Sequence, residues 1–335
     1  MKSVPAGNLR AGIVRGASAA LLLGAVAVGA LWSLSTGGRS DVGFGDLFRP
    51  DDLARTVLSD IRAPRTLAAA CLGINLGIAG LALQAITRNP LASPAILGIN
   101  QGAALGLALA FVLPIFGAVG PELMAILGAF GAGVLTFAIA GGFGGRMDAM
   151  RLILGGVAVG AFSYAVVRFT FTLEDDIARS VVRWTVGDIT DIRWDATLRL
   201  SAWSIPGIIA AMILSQRFNL VALGQDAARG LGADPRVTLL LGTVLAAVLA
   251  GVSVSVAGPI SFTGLVVPHL ARFLFGGDHR ILVPAVAGLG AALMLLADAL
   301  SKVLTAPIEA PIGAIAALIG APWFLWLAVR AKGFE

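Results

Sequence analysis

The chain has 335 residues, of which 58% are hydrophobic and 13% are charged, and its formal net charge at pH 7 is +5. A globular protein carries about a quarter of its residues charged, so this composition excludes an ordinary soluble domain and indicates an integral membrane protein. The basic residues are scattered over connecting loops and form no cluster, so the positive charge does not indicate binding to nucleic acid.

Apolar runs recur along nearly the whole chain, and each is long enough to cross about 30 Å of hydrocarbon as a helix. They predict an all-α protein with one transmembrane domain, residues 1–335. The eighth run is short and begins beside Gly258-Pro259, so a tilted, broken or partial span is also compatible with it. The ten predicted spans are 17–34, 66–86, 92–113, 123–140, 152–172, 198–215, 237–256, 260–275, 281–300 and 312–329.

The first apolar run follows Lys2, Arg10 and Arg15 and is too long for the core of a signal peptide. We therefore expect it to be retained as the first transmembrane helix. If the N-terminus lies inside, more of the basic residues in short loops lie inside than outside, which favours cytoplasmic N- and C-termini.

Two long loops, 37–65 and 173–197, would then lie outside. Both carry acidic residues beside arginines, and the second also carries Trp184 and Trp194. Such a surface fits docking to a partner protein, and it fits equally well a solvated loop with aromatic residues at the membrane interface.

The segment 220–236, LVALGQDAARGLGADPR, is the one compact polar stretch between two long apolar runs. Leu223 and Ala228 belong to an apolar side, Gly232 breaks the run, and Asp234-Pro235 begins a new helix. The pattern predicts two very short helices. Its spacing fits both an ordinary connector and a surface that docks to a partner.

Charges within spans are costly, so Arg168 and Asp298 are candidates for function. Arg168 lies about one helical turn from the outer end of the fifth span. It could extend to the interface or line an aqueous path for an anionic substrate. Asp298 could pair with Lys302 at the i+4 position. The uncharged polar residues within spans are Asn75, Gln84, Asn100 and Gln101.

Enzyme signatures are few. The chain has two histidines and no HExxH, and EDDIARS at 174–180 has Arg179 where a DDxxD pattern needs a carboxylate. No GxxxxGK[ST] occurs, so the chain is not a P-loop ATPase. The sequence therefore predicts no catalytic residues, no metal site and no cofactor in this chain. Any ATP and Mg²⁺ would bind a separate ATPase subunit.

Four stretches together resemble one family, the FecCD-type permease subunits of ABC importers for ferric siderophores, haem and cobalamin. The resemblance covers nearly the whole chain, and residues 1–60 and 173–197 match less clearly. The stretches are IRAPRTLAAACLGINLGIAGLALQAITRNPLASPAILGINQGAALG from Ile61, LGQDAARGLGAD from Leu223, AGPISFTGLVVPHLARFLFGGDHR from Ala257, and AD at 297–298 with EAPIG at 309–313 and GAPWFLWL at 320–327.

The resemblance implies an ABC type II importer permease fold in the bacterial cytoplasmic (inner) membrane. It further implies a homodimer with the substrate path along its axis, two ATPase subunits on the cytoplasmic face, and a substrate-binding protein outside. The implied function is ATP-driven import of an iron–siderophore complex by alternating access. Haem or cobalamin import is the alternative within the family. An ion-gradient-driven secondary transporter, with Asp298 and Arg168 as coupling charges, is the alternative from another class.

The resemblance also implies roles for particular residues. Arg62 and Lys302 match positions where the family presents basic residues to acidic groups of the binding protein. Arg65 lies nearby, with a structural role at a helix start also indicated. Three residues of the fifth span, which lines the path in relatives, are candidates for the path lining: Phe162, Arg168 and Phe169. The ATPase-coupling residues are Leu223, Gly224, Ala228, Arg229, Leu231 and Gly232.

Overall fold

A computed structural model describes residues 6–37, 42–48, 51–113, 115, 119–142, 149–172, 186–306 and 308–331. These residues form helices and connections and contain no strand. A 3₁₀ turn and a π-helical turn, Phe44–Leu47 and Val57–Arg62, precede α3. The α-helices are α1 (Ala6–Ser35), α2 (Asp52–Thr56), α3 (Ala63–Thr87), α4 (Ile99–Val112), α5 (Pro121–Ile139), α6 (Ala149–Thr172), α7 (Trp194–Ala222), α8 (Gln225–Gly230), α9 (Pro235–Ala257), α10 (Thr263–Phe275), α11 (His279–Val303) and α12 (Ile312–Ala331).

Each of the ten predicted spans coincides with one described helix; only the short helices α2 and α8 have no predicted span. Within the described part of the chain, seven helices are long and apolar enough to cross a membrane. The apolar parts of α4, α10 and α12 are shorter. The predicted third span begins too early, because residues 94–98 form turns and Gly98 has a φ of 71°, so the helix starts only at Ile99.

Helix α3 lies at the centre of the fold and packs against α7, α9, α10 and α11. It is buried on nearly all sides, as its continuous apolar run predicts. It approaches α11 very closely, since a Cβ on Gly73 would lie 1.9 Å from the carbonyl oxygen of Gly290. Only glycine permits this contact, so the backbones of the two helices are in direct contact at this point.

Helix α10, which corresponds to the eighth predicted span, has 13 residues and follows Phe262, a non-glycine residue with a φ of 65°. Its first turns, from Thr263 to Pro268, are buried against α3 and α11. The eighth predicted span begins beside Gly258-Pro259, and the structure has a turn there, since α9 ends at Ala257 and Gly258 has a φ of 75°.

Candidate functional site

The segment 220–236 projects from the ends of two spanning helices. Helix α7 ends at Ala222, Gly224 turns the chain with a φ of 110°, and α8 follows over six residues. Gly232, with a φ of 83°, turns it back, and the Asp234 carboxylate accepts a hydrogen bond from the Arg236 backbone N–H at 2.8 Å to cap α9. The structure thus has one short helix where the sequence predicted two, because residues 235 onward continue directly into α9.

The side chains of this segment divide between an anchored base and an exposed surface. Ala228 is fully buried and packs with Val221 and Ala233. Leu223 and Leu231 are 66% and 60% exposed, respectively. The predicted apolar side therefore splits: its alanine at 228 holds the segment against α7, and its two leucines face outward.

Arg229 lies on the exposed side of α8, and its Nη1 is 3.3 Å from Oδ1 of Asp226 one helical turn earlier. Both side chains are more than half exposed. An ion pair at such exposure contributes little to stability, so both charges are available at the rim of the apolar surface.

A buried charge network joins α1, α3, α11 and the connection to α12 at the opposite end of the fold. Asp298 is fully buried, and its carboxylate lies 2.6 Å from Arg65 Nε and 2.6 Å from Lys302 Nζ. The Ser33 hydroxyl donates to the same carboxylate at 2.6 Å. Arg65 also pairs with Glu309. The predicted i, i+4 pair of Asp298 and Lys302 is confirmed. Arg65 has a structural role through its two ion pairs, but it does not begin a helix, because residues 52–87 are helical without a break.

The two residues expected to dock a binding protein are both enclosed. Arg62 is 4% exposed, and its guanidinium donates to the carbonyl oxygens of Leu34 at 3.0 Å and Val42 at 2.9 Å. Lys302 is 2% exposed and engaged with Asp298. Docking through Arg62 and Lys302 stays a prediction, and it requires both side chains to leave these partners.

The three path candidates share an exposed face of α6. Phe162 and Phe169 are 67% and 68% exposed, and Arg168 is exposed between them in sequence. The Arg168 guanidinium lies 5.8 Å from the centre of the Tyr164 ring and donates to its hydroxyl at 3.2 Å. This face is open in the single chain, so it is free to contact lipid, a second subunit or a path between subunits.

Two of the four uncharged polar residues in spans make hydrogen bonds between elements, whereas the buried amide of Asn75 has no hydrogen-bond partner among the described residues. Asn100 donates to the Ile260 carbonyl at 2.9 Å, and Gln84 accepts from Arg272. These contacts tie α3 and α4 to the region around α10. Among the described residues, no group of His, Cys, Asp or Glu is placed to hold a metal ion. The acidic stretch 174–180 and Trp184 lie outside the described residues.

Sequence reasoning missed two members of the charge network, Ser33 and Glu309. They lie 265 and 244 residues from their partners Asp298 and Arg65. No local spacing signals a pair at that separation. The only available signal was that Asp298 and Arg65 stand in or beside apolar runs and need partners.

Comparison with known proteins identifies the family of this chain. The FecCD transport family matches residues 19–330. The chain belongs to this family. It is 40% identical over 287 residues to the Fe(3+) dicitrate transport system permease protein FecC of Escherichia coli (strain K12), covering 84% of this chain and 85% of FecC. It is 38% identical over 280 residues to the hemin transport system permease protein HmuU of Yersinia pestis, covering 82% and 83%.

Among solved structures, a metal-chelate type ABC transporter in an inward-facing conformation superposes with a TM-score of 0.80 at 31% identity. The match covers 95% of this chain and 99% of that one. This FecCD-family chain is therefore a multi-pass ABC importer permease with the all-helical fold that the sequence predicted. The secondary-transporter alternative loses support, because the family is an ABC permease family and because Asp298 is neutralised by two buried cations.

Proposed function

We propose that this chain moves an iron–siderophore complex from the periplasm or cell exterior to the cytoplasm. It acts as a homodimer in the bacterial inner membrane, with two ATPase subunits on the cytoplasmic side and a substrate-binding protein outside. The observation that supports ATP-driven movement best is the segment 220–236, which presents exposed leucines on a firmly packed base. The chain supplies no nucleotide site, and ATP with Mg²⁺ binds the partner subunits.

The exposed surface of segment 220–236 has the chemistry of a docking knob. Complete burial of a leucine side chain contributes about 1.5–3 kcal/mol, so Leu223 and Leu231 favour insertion into an apolar groove. Arg229 and Asp226 stand beside them and orient the contact through charge. Gly224 and Gly232 hold the turns that place α8 away from the spans.

The anchored base turns a push on this surface into movement of the spans. Ala228 packs on Val221, the penultimate residue of α7, and Asp234 caps α9 directly. A displacement of the knob by closing ATPase subunits is therefore passed to two spanning helices at once. In the proposed mechanism the dimer axis then opens to one side of the membrane or the other.

The substrate assignment rests on the chelates carried by relatives and on the exposed arginine of α6. FecC is named for ferric dicitrate and HmuU for hemin, and both of these compounds carry carboxylates. Arg168, with Phe162 and Phe169 on the same exposed face, suits an anionic chelate with apolar parts. Haem and cobalamin stay as the alternatives within the family, and a weak, water-filled path favours release of a bulky chelate.

Arg229→Glu tests the coupling role. Its matched control is Arg199→Glu, the same charge reversal at a side chain of nearly equal exposure, 56% against 54%, in an exposed ion pair with Glu122 outside the coupling segment. Cells carrying each variant are assayed for uptake of radiolabelled ferric citrate, ferric hydroxamates, haem and cobalamin. The ATPase subunit is recovered with the permease in parallel.

We expect Arg229→Glu to lose uptake and ATPase association together, while Arg199→Glu keeps both. The compound that the parent chain imports identifies the substrate. Unchanged uptake and association in Arg229→Glu would reject Arg229 as a coupling contact. Uptake by the chain without ATP would overturn the importer function itself.

A further inference from the structure

A compact polar junction ties the end of α7 to the start of α11. Three side chains in the last turns of α7 contact three consecutive residues at 278–280. Asn219 binds both Asp278 and His279, Gln216 accepts from Arg280, and the Phe218 ring packs on the His279 ring with centroids 5.7 Å apart. Sequence patterns did not indicate this junction, since its halves lie about 60 residues apart.

Asn219 is the centre of the junction, and its partners fix the orientation of its amide. Its Nδ2 donates to the Asp278 carboxylate at 2.8 Å, while its Oδ1 accepts from the His279 backbone N–H at 2.9 Å and lies 2.8 Å from His279 Nδ1. A carboxylate needs a donor and a backbone N–H needs an acceptor, so the opposite orientation would break both contacts.

Asp278 also caps α11, because its carboxylate accepts from the Arg280 backbone N–H at 3.0 Å. The hydrogen bond from Asn219 and the one from the Arg280 backbone lower the pKa of Asp278 below its ordinary value. The cap is therefore ionised at neutral pH and suits the positive end of the helix dipole. Asn219 thus binds the group that begins α11.

The junction lies beside the coupling segment 220–236, and helix α11 connects it to the buried charge network. Asn219 is three residues before the end of α7, where Val221 packs on Ala228 of α8. Helix α11 has 25 residues, so at about 1.5 Å per residue it reaches about 37 Å to the far side. There Asp298 and Lys302 join it to α1 and α3.

We propose that Asn219 is a positioning residue for transport, which carries movement of the segment 220–236 into α11 and through it to the outer side. The proposal rests on the coupling role proposed above. One of its contacts, the hydrogen bond to Asp278, is exposed and exchanges with water at little cost, whereas the two contacts to His279 are partly buried and hold Asn219 against the start of α11. Close glycine contacts hold α11 against α3, so α11 moves as a rigid helix and motion at its start reaches its end.

The test follows the outer end of α11 while ATP acts at the inner side. The chain has a single cysteine, so a Cys71→Ala, Ile308→Cys background carries one thiol in the connection after α11. Ile308 is 79% exposed. The complex with its ATPase subunits is reconstituted in proteoliposomes, and labelling by a membrane-impermeant maleimide is timed with and without ATP and vanadate.

We expect the background chain to label at different rates with and without ATP, and Asn219→Ala to lose that difference. ATPase recovery should stay as in the background chain, and thermal unfolding should fall only by the loss of the Asn219 hydrogen bonds, whereas a general folding defect would lower both. Asn219→Asp should lose the ATP-dependent difference in labelling at least as fully as Asn219→Ala, because it places two carboxylates together. Adding Asp278→Asn to it restores the donor and acceptor pattern and should restore the ATP response.

The outcomes separate the two proposals. A background chain that recovers no ATPase subunit overturns the coupling role itself. A background chain that binds the ATPase but labels position 308 at one rate overturns the transmission through α11. The same holds if Asn219→Ala keeps the ATP response, if it loses ATPase association, or if the exchanged pair fails to rescue Asn219→Asp.

Discussion

Replacing Asp298 by asparagine removes the carboxylate that pairs with both Arg65 and Lys302. Arg65 Nε and Lys302 Nζ each lie 2.6 Å from it, and all three side chains are at most 5% exposed. The variant leaves Glu309 as the remaining acidic partner in the network, and one end of the new amide presents a donor to a cation. Removal of one partner from a buried ion pair destabilises by about 3–5 kcal/mol, and we expect Asp298→Asn to fall in this range.

The native thiol supplies the assay. Cys71 is the only cysteine and is 5% exposed in α3, so unfolding in detergent exposes it to a thiol-reactive fluorophore without engineering. Glu122→Gln is the control, since it breaks the pair with Arg199 at 3.0 Å, where the side chains are 32% and 56% exposed. An exposed pair contributes about 0–1 kcal/mol. If Asp298→Asn lowers the unfolding free energy no more than Glu122→Gln, the network does not hold α1, α3 and α11 together.

Two further predictions concern packing and pH. Gly73→Ala should destabilise the fold by about 1–3 kcal/mol or more, because its Cβ would meet the backbone of Gly290. Gly131→Ala is the control, since its Cβ would meet nothing within 4 Å and should not destabilise the fold. Thermal unfolding of both variants checks this prediction. Because the folded pKa of Asp278 lies below its ordinary value of 3.8, its contribution to stability is present above that value and is lost as pH falls through the folded pKa. The difference in thermal unfolding between the parent chain and Asn219→Ala should therefore be constant near neutral pH and shrink below about pH 4. A difference that persists in acid would remove Asp278 from the junction's energetics.

Helices were the part of the fold that sequence patterns predicted well. An apolar run long enough to span a membrane must form a helix there, since every backbone group needs an internal partner. The start of α4 was predicted seven residues early because residues 92–98 are mostly apolar, but residues 94–98 form turns and Gly98 has a φ of 71°. Pro94 and Gly98 were the sequence signals for these turns.

The candidate sites were predicted less completely, for a physical reason. The exposed leucines of segment 220–236 lie within one short stretch, so local spacing indicated them. The partners of Arg62 are the carbonyl oxygens of Leu34 and Val42, and every residue has such an oxygen. A sequence shows that Arg62 is basic and does not show that the backbone encloses it.

The two ends of α11 are held by contacts of very different strength, and this difference bears on how the outer side meets a binding protein. At the start of α11, the hydrogen bonds of Asn219, exposed to Asp278 and partly buried to His279, contribute about 0.5–1.5 kcal/mol each. At the far end, taking Lys302 away from Asp298 breaks a buried ion pair and leaves Asp298 paired with Arg65 alone, which costs up to about 3–5 kcal/mol. A binding protein that recruits Lys302 must supply a carboxylate that replaces Asp298. Movement that enters α11 at the Asn219 joint is therefore expected to reach its far end, with α1, α3 and α11 moving there as one unit.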